Sequence, residues 1–85
     1  MKRRKLLKRL SEGQLKNVAF RDMINMAEGF GFQLARVSGS HHIFVHPAVK
    51  ELVNLQEVKG EVKPYQIRQF LRLIERYNLK LEDEG

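Results

Sequence analysis

Residues 32–47 read FQLARVSGSHHIFVHP, and all three histidines of the 85-residue chain fall inside this stretch. Residues 32–37 alternate as a strand does, with Phe32, Leu34 and Arg36 on one side and Gln33, Ala35 and Val37 on the other. Ser38, Gly39 and Ser40 supply turn chemistry. Residues 41–46 are strand-like again, and Pro47 closes the run because it has no N–H to give to a ladder. Two strands around a short glycine-containing turn predict an antiparallel hairpin. In its second strand His42, Phe44 and His46 share one face and His41, Ile43 and Val45 the other, so the two adjacent histidines point apart.

Upstream of the hairpin, Phe20, Met23, Ile24 and Ala27 repeat at the spacing of one helical face, which predicts a helix near 19–28. Gly29 is the expected left-handed residue at its end, with Gly31 completing the exit turn. Downstream, residues 52–56 (LVNLQ) predict a third short strand, and Lys59, Gly60 and Glu61 a turn. Pro64 fits the first turn of a helix whose apolar face is Ile67, Phe70, Leu71 and Ile74, with Asn78 as its left-handed stop. The order helix, strand, strand, strand, helix predicts an α+β fold: a two-layer sandwich with a three-stranded antiparallel sheet and both helices on one face. That is the outline of a double-stranded-RNA-binding-like domain. Its expected core is Phe20, Met23, Ile24, Phe32, Phe44, Ile67, Phe70, Leu71 and Ile74.

The charge is unevenly placed. Residues 1–20 hold seven Lys/Arg against the single acid Glu12, and the other residues hold nine of each sign, so the whole net charge of +6 lies in the first segment. A basic run of this kind attracts polyanions through counterion release. Leu6, Leu7 and Leu10 give the same segment a narrow apolar stripe, which predicts a short helix ended by Gly13 that packs on the body or on a partner. The expected organisation is a basic helical leader over 1–18, a domain over 19–80 and an acidic tail over 81–85, frayed from residue 79. No apolar run approaches the ~18 residues of a membrane span, and there is no cysteine. The expectation is therefore a cytoplasmic protein without disulfides or thiolate metal sites, and without membrane association.

For the histidines the residues alone leave three readings open: half-exposed strand residues with satisfied polar tips, a metal site, or an acid–base site. A metal would need three or four ligands, and His42 and His46 stand about 13 Å apart along a strand that offers no cysteine or carboxylate. No metal and no cofactor are expected. Histidine is also the side chain whose ordinary titration range suits proton transfer near neutral pH.

The motif RVSGSHHIFVHP at 36–47, with GFQL at 31–34 and KPYQIRQFL at 63–71, resembles the HicA (YcfA-like) family of bacterial toxins over about residues 20–77. The resemblance implies a small ribonuclease of double-stranded-RNA-binding-like fold. Such a toxin cleaves mRNA without a metal and is neutralised by a HicB-type antitoxin that covers its active site. Carried over residue by residue, the catalytic histidine is His41, presented by Gly39 and Ser40. Phe44 matches a core aromatic, and Lys63, Pro64 and Arg68 match the opening of the last helix. Arg36, Gly39, Ser40, Lys63 and Arg68 are the expected substrate-binding residues, with the basic leader also holding phosphates. The chain departs from the family pattern in its basic leader of about 18 residues and in the stretch 48–52. Those departures leave a second reading beside the nuclease, an RNA-binding module of the same fold that does not cut. A third is a partner-binding protein that docks through its leader helix.

Overall fold

The computed structural model describes residues 2–82. In chain order they form α1 (Arg3–Ser11), β1 (Val18–Ala19), α2 (Phe20–Gly29), β2 (Gln33–Ser38), β3 (His41–His46), β4 (Val49–Val58), β5 (Glu61–Val62) and α3 (Pro64–Arg76). The sheet is antiparallel with strand order β1-β5-β4-β3-β2. It therefore has five strands, where the sequence pattern predicts three. The additional two are only two residues long, too short to leave an alternation, and they exist because Val62 pairs with both Val18 and Glu57. β4 is also longer than the expected 52–56. Residues 47 and 48 make a tight turn, and His46 already pairs with Val49.

The sheet has one buried face. His42 lies opposite Leu55 and Phe44 opposite Val53, and paired residues share a side. Phe44 and Leu55 are fully buried in one cluster with Met23, Met26 and Phe30 around α2 and with Ile67 and Phe70 of α3. Phe70 meets the rings of both Phe30 and Phe32 at 5.8 and 5.3 Å. Both helices thus lie on one face. Ile24, Leu71 and Ile74 of the expected core are only partly buried, packed at its margin. The other face, carrying Asn54 and the exposed Leu52, is left open.

The basic helix α1 joins the same core. Leu6 and Leu10 are buried against α2, each a contribution of about 1.5–3 kcal/mol by area. Leu15 and Val18 continue the buried series into β1. Gly29 does not carry the left-handed conformation expected of it. The helix runs through it and the positive φ (+96°) falls on Gly31. Gly29 is instead a close-approach site, where a Cβ would stand 2.6 Å from Arg3 Cδ and 2.8 Å from Leu81 Cδ1.

Asn78 ends α3 at φ +51°, as its residue type predicts. The chain beyond it is docked, not frayed. Leu79 and Leu81 pack against the core, and the Glu82 N–H donates to Gly29 O at 2.8 Å. Asp83, Glu84 and Gly85 of the acidic tail lie outside the described residues. At the far end of α3, Glu51 of β4 accepts from the Tyr77 hydroxyl and pairs with Arg76 at 3.0 Å. The Tyr77 bond, with help from Arg76, holds the Glu51 carboxyl below its ordinary range; the same bond pushes the Tyr77 phenol up, against the opposing charge of Arg76. No helix among the described residues is long and apolar enough to cross a membrane.

Candidate active site

The loop between β2 and β3 is the two-residue turn of Gly39 and Ser40, closed by the pair Ser38 and His41. Gly39 has φ +60° and Ser40 does not take positive φ, the pattern of a hairpin turn that needs glycine at its first central position. The turn sets His41 as the first residue of β3 and, through the pleat, on the open face. Across the sheet at this level stand Ser38, His41 and Gln56 in one row. The next row is Arg36, Ile43 and Asn54.

Arg36 reaches that row through an irregularity. Leu34 pairs with Phe44 but Arg36 pairs with Ile43, so Ala35 is an extra residue, a β-bulge that switches Arg36 from the Leu34 face to the His41 face. Simple alternation puts Leu34 and Arg36 on the same side, and the structure corrects that expectation. The signal that would reveal the switch is absent from the sequence, because Ala35 carries no turn or glycine chemistry.

The three histidines have three different surroundings. His41 is half-buried, and its Nδ1 lies 3.2 Å from Asn54 Oδ1. His42 packs its ring edge against Phe20 at 4.7 Å, with Nδ1 3.3 Å from Ser40 O. His46 uses both nitrogens within the fold: Nε2 donates to Phe30 O at 3.0 Å and Nδ1 accepts the Ala48 N–H at 2.9 Å. Its ring also meets Phe32 at 5.0 Å, and a Cβ on Gly31 would stand 2.8 Å from its Nε2. His46 is therefore fixed at both ends of its ring by backbone partners and pinned in the packing. His42 and His46 serve separate contacts, and no group of three His, Asp or Glu among the described residues could hold a metal ion.

Lys63 enters the same end of the molecule from α3. Glu57 pairs with Val62, so the register extended by one residue sets Lys63, still extended in backbone, at the level of Gln56. The Gln56 N–H, which faces that side, finds no strand carbonyl there and donates instead to Oε1 of the buried Gln66 at 2.9 Å. Gln66 thus fastens the first turn of α3 to β4 beside the His41 row. The start of α2 lies at the same end, since Phe20 touches His42 and donates its N–H to Gly60 O at 2.8 Å. Two helix N-termini therefore bring their positive dipole ends here. A shallow cleft of about 300 Å³ next to them is lined by Lys16, Lys59 and Lys63, with Glu61 as the acid among its lining residues. Gly39, Ser40, Arg36 and Lys63 are thus gathered at or beside the level of His41. Arg68 is not in this row; it is exposed on α3, the layer on the opposite side of the sheet. The residues that sequence reasoning missed are Asn54, Gln56 and Gln66, polar amides whose value lies in which neighbour the register gives them.

A small α+β domain with one open sheet face and an outward histidine at a positively charged end defines the class. A family model, HicA toxin of bacterial toxin–antitoxin systems, matches residues 20–75, and the chain belongs to that family of toxins. No curated protein and no solved structure matches it.

Proposed function

We propose that this chain is a metal-independent endoribonuclease toxin that cleaves mRNA in the cytoplasm, with His41 as its acid–base group, on a double-stranded-RNA-binding-like fold. A HicB-type antitoxin neutralises it by covering the open face around His41. The observation that carries the reading is the contrast among the histidines. His42 and His46 are engaged by the core, whereas His41 stands on the open face at the head of its strand. Membership of the toxin family supports the same reading. In the reaction His41 takes the proton of a ribose 2′-hydroxyl as O2′ bonds to phosphorus and the P–O5′ bond breaks. The products are a 2′,3′-cyclic phosphate and a 5′-hydroxyl whose oxygen takes its proton from water. Arg36, Lys63 and the backbone of Gly39 and Ser40 hold the phosphates beside the ring. Arg68 adds charge to the flank and not to the reacting group.

The test is cleavage of a defined RNA by purified protein in EDTA. Positioned general acid–base groups contribute roughly 10²–10⁴-fold, so His41→Ala should lose activity on that scale while keeping its thermal midpoint. Expression of the wild type should arrest growth and the variant should not. Equal cleavage by the two proteins would overturn the assignment, and RNA binding without cleavage by the wild type would favour the binding module.

A further inference from the structure

Asn54 is the polar group whose hydrogen bond to the His41 ring the structure displays. We infer that it is a positioning residue for the reaction, fixing which nitrogen of His41 faces the substrate. The inference rests on the ribonuclease reading above.

The chemistry of the pair decides the tautomer. A carboxamide oxygen only accepts hydrogen bonds, so the contact of 3.2 Å between Asn54 Oδ1 and His41 Nδ1 places the ring proton on Nδ1. The lone pair then resides on Nε2, the nitrogen not bonded to Asn54 and the one able to take a substrate proton. Rotation of the ring by half a turn, or transfer of the proton to Nε2, would break this bond.

The sheet register makes the contact specific. Ile43 pairs with Asn54 and His41 with Gln56, so Asn54 is the diagonal neighbour of His41 on the open face, within reach of its ring. Its position on β4, paired directly with Ile43 of β3, is rigid in a way that a loop residue is not. The second β4 amide acts on the other side of the ring's anchor. Gln56 Nε2 donates to Ser40 Oγ at 3.3 Å, tying the presenting turn to the strand that carries Asn54. Two amides on one strand thus hold the turn and the ring. Asparagine is disfavoured in strands on propensity alone. An amide also orients without a charge, unlike a carboxylate, which would stabilise the protonated ring and leave less of it as free base at neutral pH.

The experiment combines a direct readout of the tautomer with kinetics. Long-range ¹H–¹⁵N correlation spectra of the wild type should show His41 with its proton on Nδ1, and Asn54→Ala should redistribute it toward Nε2. On a defined RNA, Asn54→Ala should lower kcat about tenfold with little change in KM, below the 10²–10⁴-fold ceiling set by the base itself. Asn54→Asp should keep the Nδ1 proton and recover rate at high pH, with the acidic limb of the profile moved toward higher pH. A merely structural asparagine would show neither the tautomer change nor the moved limb. A wild-type His41 with its proton on Nε2, or an Asn54→Ala enzyme with unchanged kcat and pH profile, would overturn the inference while leaving a ribonuclease in place. Equal cleavage by wild type and His41→Ala would instead remove the ribonuclease reading itself.

Discussion

Of the three histidines, His46 has the most to lose by substitution and the least to do with chemistry. Its two nitrogens satisfy Phe30 O and the Ala48 N–H, and its ring lies on Phe32. An alanine there leaves the two backbone groups without their partner and opens space against a buried aromatic. His46→Ala should cost about 1–3 kcal/mol in chemical denaturation, with the rate of RNA cleavage by the folded fraction unchanged. A variant of wild-type stability would show that water replaces the imidazole without loss. The division of labour among the histidines was partly legible in the sequence. Strand alternation separates His41 from His42, and it puts His46 on the Phe44 side. That His46 serves the exit turn at Gly31 was not legible, because the two are brought together by the fold across many residues of chain.

Among the elements, α3 depends on an uncommon joint. A strand partner is missing at the Gln56 N–H, and Gln66 fills the place with a side-chain oxygen. Gln66→Ala would leave that half-buried N–H without its acceptor, at a cost of about 1–3 kcal/mol. The same change should raise hydrogen exchange at Gln56 selectively, and Arg68→Ala, on the exposed side of the helix, should do neither. Equal protection of Gln56 in the two variants would refute the joint. Both long helices were legible from their apolar periodicity, as was the hairpin from its turn residues. The two-residue strands were not, since a pattern needs length to be a pattern. The bulge at Ala35 was hidden for a different reason: it changes the face of Arg36 by counting, without any residue that announces it.

For the molecule as a whole, the excess charge and the candidate base lie on different sides of the sheet. α1 packs on α2 in the helical layer, and His41 belongs to the open face. Removing residues 2–9 would delete Leu6 from the core along with the charge, so the two contributions have to be separated by substitution. Leu6→Ala should lower stability by about 2–5 kcal/mol. Replacing the exposed Lys2, Lys5 and Lys8 together by alanine should leave stability alone. It should also flatten the salt dependence of RNA affinity by about 2, at roughly 0.7 for each phosphate that is no longer neutralised. An unchanged slope in anisotropy titrations would assign the charge of α1 to something other than RNA.

The bulge that turns Arg36 toward His41 has a second consequence, for how the molecule behaves among its own copies. β2 is the outer strand of the sheet, six residues long, with Leu34 and Val37 about half exposed. An even, apolar edge of that length would template a neighbouring strand and invite aggregation. Because the register breaks between Leu34 and Arg36, the edge is divided into two short runs, with a guanidinium beside the break. At the opposite margin β1 offers only Val18–Ala19. Neither side gives an incoming strand a long straight ladder to extend, so crowded copies of this domain can stay apart without a helix to cover either edge.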